Sequence, residues 1–310
     1  MAGGPAFRAA PARVRVPATS ANLGPGFDSY GLALDLYDDV VVRVAESGLA
    51  VDVAGEGADE VRRDKRNLVV RAVQTTFDVL GGQPRGLEVV CANHIPHGRG
   101  LGSSAAAIVA GVLAARELVL GGAEKLPDDA MLRLAAQLEG HPDNVAACLL
   151  GGFTLAWQET DEHGLLSRAV RLDVHRDVSP VVFVPETKAS TAKARKLLPD
   201  LVPHRDAAAN AARAGLLVEA LTRRPDLLLT ATEDALHQRY RAPAMPRSAA
   251  LVERLRAAGI PAVISGAGPT VLALTTGAQA ADVAQFDARF FTASALQVDA
   301  TGARVVPLER

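Results

Sequence analysis

Between residues 87 and 118 the chain passes from a short apolar run, Leu87 to Ala92, into an alanine-rich stretch that ends at Leu118. The link is a glycine-punctuated loop, Pro96-His97-Gly98-Arg99-Gly100-Leu101-Gly102-Ser103-Ser104-Ala105. This limits the fold more than any other feature, because a strand must feed a helix through a sharply turning backbone. Glycines allow such turns and let backbone N–H groups approach a ligand closely. The helix that follows, from about Ser104, aims its unpaired N–H groups and positive dipole end at the same spot. That arrangement suits a phosphate. A glycine turn with a serine helix cap explains the same residues, and the loop alone leaves both readings open. No Lys follows the last glycine, so it is not a Walker A loop. The Gly-x-Gly-x-Gly spacing also departs from the dinucleotide fingerprint.

The 310 residues are 49% apolar and 22% charged, which excludes a disordered chain and suggests two domains. Lys plus Arg is 33 against 35 for Asp plus Glu. That balance points to neither a nucleic-acid partner nor a membrane surface. Two cysteines, Cys91 and Cys148, exclude a disulfide scaffold and fit the reducing cytoplasm. Met1 to Arg13 has no apolar core of a signal peptide and reads as a loose tail. Ile260 to Ala281 carries no charge and is long enough to span a bilayer. Pro261, Gly266, Gly268, Pro269 and Gly277 interrupt it, so two short strands around a glycine turn fit better.

Strands are expected around Val14 and Val16, over Val40–Ala45, Ala50–Ala54 and Leu87–Ala92, and later over Val170–Val174, Val181–Val184, Val263–Ser265 and Val271–Thr275. Asn67 can cap a helix that Gly81 ends, and a helix opening at Pro127, Asp128 and Asp129 stops at Gly140. Asn144 begins another apolar run, closed by Gly151 and Gly152. Further helices are expected over Asp206–Arg223, Pro225–Arg241 and Pro246–Ala258. Intermixed strands and helices indicate an α+β protein. The polar stretch Thr160 to Gly164 suggests a division into residues 1–160 and 161–310.

The full loop string closely resembles the ATP loop of the GHMP small-molecule kinases. Two other blocks sit where that family keeps its remaining motifs. One is Pro17-Ala18-Thr19-Ser20-Ala21-Asn22-Leu23-Gly24-Pro25-Gly26-Phe27-Asp28, and the other is Ser265-Gly266-Ala267-Gly268-Pro269-Thr270. The resemblance spans roughly residues 14 to 275. Within the family the chain looks like the homoserine kinase branch. The opening block supports this, as do Glu139-Gly140-His141-Pro142-Asp143-Asn144-Val145, Ser190-Thr191-Ala192-Lys193-Ala194-Arg195 and Asp234 to Arg241. Some members of that branch carry a longer insert between the matching Glu and His, which here are nearly adjacent.

The resemblance implies a two-domain fold, with an N-terminal ATP-loop domain and a C-terminal ferredoxin-like domain. It implies ATP and Mg²⁺ as cofactors and L-homoserine as substrate in the cleft between the domains. The product would be O-phospho-L-homoserine, for threonine synthesis. Asn22 and Asp28 match positions at the amino and hydroxyl end of the substrate. Arg195 and Arg241 match the pair that holds its carboxylate, a task suited to a planar fork of donors. His141, Asp143 and Asn144 match further substrate-side positions. Glu139 and Ser104 match the metal ligands, with Ser103 beside them. The loop from Pro96 to Ala105, together with Asn67, matches the nucleotide site. Asn144 stands where many GHMP kinases place an aspartate base. An amide cannot take a proton at neutral pH, so the implied mechanism is alignment and charge neutralisation, the hydroxyl proton passing late to a phosphate oxygen, with Asp28 left open as another acceptor. Family members are often dimers, which leaves a homodimer open.

Other readings compete. A different alcohol such as mevalonate would suit another GHMP kinase, and a non-catalytic nucleotide-binding regulator could share the fold. The paired arginines with Asp28 favour an amino acid, and intact Glu139 and Ser104 favour catalysis. Cys91, His94 and His97 have a C-x2-H-x2-H spacing, but at a strand end turn residues are expected instead. Trp157 and Tyr240 read as packing residues.

Overall fold

A computed structural model describes residues 4–162, 164–189, 191–277 and 279–308. The chain opens with β1 (Ala12–Ala21) and β2 (Tyr30–Ala45), paired antiparallel with a register shift at Pro17/Ala18. Next come β3 (Gly48–Gly55), α1 (Leu68–Val79) and β4 (Gly86–Asn93). Helices α2 (Ser103–Leu118), α3 (Gly122–Lys125), α4 (Asp128–Glu139) and α5 (Asp143–Leu150) precede a hairpin of β5 (Phe153–Asp161) and β6 (Gly164–Leu172). The larger sheet runs β11-β1-β2-β4-β3, with β5 on β2 and β6 on β5, where β11 is the late strand Arg304–Val306. Only β3 and β4 run parallel in it.

The second sheet contains β7 (Val178–Pro185), β8 (Ala262–Ile264), β9 (Val271–Thr276) and β10 (Phe291–Ala295), in the order β10-β7-β9-β8. All its pairings are antiparallel. Helices α6 (Thr191–Arg195), α7 (His204–Thr222), α8 (Leu228–Ala231), α9 (Gln238–Arg241) and α10 (Pro246–Ala257) lie between β7 and β8, and α11 (Gln279–Ala284) lies between β9 and β10. This is the split βαβ arrangement of ferredoxin-like folds, as the resemblance implied.

Local chemistry accounts for the elements that position the site. Asn67 caps α1, its Oδ1 accepting from the N–H groups of Val69 and Val70. Helix α2 is buried along most of its length, and its alanines let it lie close to α1 and β1. The apolar faces of α1, α2, α4 and α5 share one core with β1, β2 and β4. That core continues through Leu217 and Leu221 of α7 to Val182 and Leu272 of the second sheet. The opposite face of the second sheet packs on α10 and α11 through Leu251, Leu255 and Val283.

Two expectations need correction. The acidic residues around 160 lie in paired strands of one sheet, not in a linker. β6 pairs with β5 from Phe153↔Leu172 to Asp161↔Gly164, so the division at 160/161 cuts a hairpin of the larger sheet. By sheet membership the changeover lies between Leu172 and Val178, and β11 returns to β1 at the end. The helix expected over residues 225–241 is broken after α8. Asp234 there accepts from the N–H groups of Leu236, His237 and Gln238 and holds a non-helical turn. The charge-free stretch 260–281 contains β8 and β9, as its glycines and prolines implied. Among the described residues no helix is long and apolar enough to cross a membrane.

Candidate active site

Three separated stretches of sequence meet at the start of α2. Thr19 N–H donates to Leu101 O (3.1 Å), Gly266 N–H to Ala21 O (3.0 Å) and Thr270 N–H to Arg99 O (3.1 Å). Ser265 Oγ donates to Gly100 O at 2.6 Å and lies 2.8 Å from Ser20 Oγ. Two glycines make this fit possible. Gly100 and Gly102 have φ of +81° and +72°. A Cβ on Gly100 would run into the Ser265 carbonyl, and one on Gly102 into Thr19 Oγ1, with Asn144 Oδ1 at 3.2 Å.

The junction borders a polar cleft of about 210 Å³. Asn22, Leu23 and Asp28 all have positive φ, +70°, +50° and +54°. Non-glycine residues hold this conformation at a cost, and it recurs at ligand sites. Asn22 stabilises the turn, accepting from Asp28 N–H (2.9 Å) and donating to Gly266 O (2.8 Å). These two bonds let Asn22 shape the turn, and the residue also borders the cleft. The Asp28 carboxylate takes both arms of Arg195, at 2.8 and 2.9 Å.

Arg241 is 2% exposed. Among the described residues its Nη1 makes only long contacts, 3.4 Å to Gly266 O and 3.4 Å to His237 Nδ1, and its Nε has no partner. Burial lowers its pKa, helped by the nearby Arg195 charge. The guanidinium lies 5.0 Å from the Phe27 ring centroid, and Phe27 stacks on His237. Burial keeps His237 neutral, with Nε2–H donating to Gly24 O at 2.8 Å and Nδ1 left to accept from Arg241. A buried cation with incomplete hydrogen bonding is costly unless an anion arrives.

Across the cleft Ser104 Oγ donates to Glu139 Oε1 at 2.5 Å. Burial raises the Glu139 pKa. Gly140, at φ +98°, turns the chain from α4 to His141. His141 Nδ1 meets Asp143 Oδ1 at 2.9 Å, and that bond raises the His141 pKa. The same Asp143 oxygen accepts from Asn144 N–H at 2.7 Å. Asn144 Oδ1 accepts from the Thr19 hydroxyl at 2.8 Å, which turns the amide N–H₂ toward Asp143 at 3.4 Å. The sequence assigned Thr19 no role. Its signal was a hydroxyl within a motif on a strand, where a packing residue would otherwise be expected.

A second pocket, of about 230 Å³, adjoins the cleft, and Ser103 and Ser104 line both. Its walls are largely apolar, including Val53, Val61, Leu68 and Ala107. Asn67 and His97 border it, and Asn67 Nδ2 donates to Arg62 O, so its amide serves the cap of α1. Apolar walls beside a polar cleft suit a nucleobase.

Not every loop residue faces these spaces. Arg99 turns away and donates to Pro185 O and Glu186 O, both at 2.8 Å, tying the loop to β7. Pro96 borders a groove on that opposite side. The side chains of Leu101 and Ala105 are buried in the core, while Gly98, Gly100 and Gly102 border the cleft. Ser190 lies outside the described residues. Cys91 lines the floor of the apolar pocket, whereas His94 Nδ1 faces Tyr37 O.

An apolar pocket beside an acidic and cationic cleft, on two sheets of this order, fits a small-molecule kinase. Residues 67–152 match the family model for the GHMP kinase N-terminal domain, and residues 202–291 match that for the GHMP kinase C-terminal domain. The chain belongs to the GHMP kinases, ATP-dependent enzymes that phosphorylate small molecules. It is 67% identical to the homoserine kinase of Streptomyces avermitilis, over 98% of this chain and 99% of that one. It is 52% identical to the homoserine kinase of Clavibacter michiganensis, over 94% and 93% of the two chains. Among solved structures, homoserine kinase from Cytophaga hutchinsonii superposes with a TM-score of 0.82 at 30% identity, covering 96% of this chain and 97% of that one. Mevalonate kinase from Leishmania major, at 19% identity and a TM-score of 0.65, shares the fold, covering 93% and 96% of the two chains.

Proposed function

We propose that this protein is a homoserine kinase, transferring the γ-phosphoryl group of ATP to the side-chain hydroxyl of L-homoserine. The observation that carries this reading is Arg241, a buried guanidinium whose Nε is unpartnered among the described residues, beside the Asp28–Arg195 pair. A zwitterion matches that charge pattern. Its carboxylate completes Arg241 and Arg195, and its ammonium takes Asp28. Mevalonate, the competing alcohol, has a carboxylate but no ammonium, so it offers Asp28 no cation to replace Arg195.

The triphosphate is held by the N–H groups of the glycine loop and the positive end of α2. Ser104 and Glu139 both offer oxygen ligands, the type Mg²⁺ prefers, and lie side by side within hydrogen-bond reach, so they would give a Mg²⁺ ion two adjacent ligands. Bound there, Mg²⁺ would neutralise charge on the phosphates. Asn144, oriented by Thr19, presents N–H donors and no base, so it aligns groups in the cleft. The hydroxyl oxygen forms the new P–O bond as the bond to ADP breaks, and its proton passes to a phosphate oxygen. Such transfer has a loose transition state, in which positioning and electrostatics supply most of the acceleration. Both cysteines are free thiols, and we place the activity in the cytoplasm, within threonine synthesis.

A coupled ADP-release assay over L-homoserine, its carboxamide and mevalonate tests the reading. The wild type should turn over L-homoserine and discriminate strongly against the carboxamide. Arg241→Leu should raise KM for homoserine by roughly ten- to a hundred-fold, the worth of a charge-assisted pair, and leave KM for ATP nearly unchanged. It should also discriminate far less between acid and amide. Equal discrimination by both proteins removes Arg241 from the carboxylate site, and preference for mevalonate overturns the assignment.

A further inference from the structure

The apolar pocket beside the phosphate loop has few polar groups, and most are already engaged. The Asn67 amide caps α1 and donates to Arg62 O. Asn93 Nδ2 donates to Glu56 O at 3.2 Å and faces His97 Nε2 at 3.5 Å. Asp38, on β2, is different. It is 5% exposed and borders the pocket with Val40, Val53 and Cys91. Its Oδ1 accepts both the His94 N–H (2.6 Å) and the Ile95 N–H (2.9 Å). Its Oδ2 has no hydrogen-bond partner among the described residues, and no cation pairs with the carboxylate. A half-used carboxylate among valines is an expensive thing to bury unless a donor comes to it. Burial pushes its pKa up to about 6, so at neutral pH it is still the ionised acceptor.

We propose that Asp38 selects the nucleobase, its Oδ2 accepting a hydrogen bond from the exocyclic 6-amino group of adenine. A base with a carbonyl at that position brings a second acceptor against a carboxylate, and both are left unsatisfied. Sites built around a buried hydrogen-bonding group reject analogues lacking the matching group more strongly than apolar walls do. The proposal rests on the kinase reading, which supplies ATP as the nucleotide. Turnover of homoserine with ATP tests that reading separately, whatever the base preference.

The experiment measures direct binding of ATP and of ITP by calorimetry, without homoserine, together with KM for each nucleotide. ITP replaces the 6-amino group with a carbonyl and keeps the rest of the molecule. The wild type should bind ATP about ten- to a hundred-fold more tightly than ITP, the range for a hydrogen bond to a charged group. Asp38→Asn keeps an oxygen for His94 and Ile95 and turns N–H₂ into the pocket in place of Oδ2. It should narrow the ratio to within a few-fold or reverse it, with KM for homoserine unchanged. A purely structural carboxylate would leave the ratio where it was, and that result overturns the proposal. Wild-type protein that binds ITP as tightly as ATP also overturns it, and this arm needs no variant to fold.

Discussion

Asn144 shows how one side chain can distinguish two chemistries. Thr19 holds its oxygen and Asp143 its backbone N–H, so the amide is fixed with donors on offer. Asn144→Asp replaces the donor with a carboxylate beside Asp143, in a cleft that also holds Asp28, Glu139 and, during turnover, a triphosphate. Like charges at short range raise a carboxylate's pKa and disfavour its charge. The unwanted charge is therefore present above that raised pKa and disappears as pH falls through it. We expect kcat to fall by about tenfold or more near neutral pH, one misplaced buried charge being worth at least 1.4 kcal/mol. The deficit should shrink toward lower pH, in kcat against pH with both substrates saturating. A variant faster than wild type across the neutral range would return a general base to the mechanism.

At the scale of elements, the phosphate loop depends on backbone shape. Gly102 is left-handed and lies against Thr19 Oγ1, so Gly102→Ala meets both conformational strain and a collision. The variant should lose stability on the order of 1–3 kcal/mol. It should also lose kcat/KM for ATP by more than that destabilisation explains, since Thr19 must release Asn144 to make room. Denaturant melts and initial rates on the same preparation separate the two effects, and unchanged ATP kinetics would show that the loop tolerates the shift. The loop, α2, α4 and the two β runs after residue 260 were legible in the sequence because glycines, prolines and caps punctuate them. The β5–β6 hairpin was not, since its acidic stretch has the composition of a linker. Nor was the break after α8, which depends on Asp234 folding back onto its own backbone. The family resemblance could nominate Arg195, Arg241 and Asp28, but it could not reveal that Asp28 and Arg195 pair with each other. Asp38 left no signal at all, because its burial comes from strands distant in sequence.

The whole molecule is held together around the cleft. His237 and Asn210 from the second half grip the carbonyls of Gly24 and Pro25, at 2.8 Å each, and Tyr30 Oη donates to Ala214 O at 3.0 Å. Ligand binding should therefore stabilise the global fold and not only one half. At a homoserine concentration a hundred times Kd, linkage predicts about 2.7 kcal/mol of added stability. A thermal melt should rise by a few degrees as one transition, since stability gains of this size move large domains only modestly. Arg241→Leu should lose most of that rise. A wild-type melt unmoved by saturating homoserine would separate the cleft from the substrate.

Asp28 and Arg195 occupy each other at the cleft. An entering amino acid must then exchange partners: its ammonium displaces Arg195 from Asp28 while its carboxylate receives the guanidinium set free. A ligand with only one charged end makes the exchange lopsided, settling one ion and stranding the other. Simple amines and hydroxy acids are thus turned away by what they fail to replace. Because the swap leaves the cleft's total charge unchanged, homoserine affinity should respond only weakly to ionic strength, while binding of the highly charged triphosphate should respond steeply.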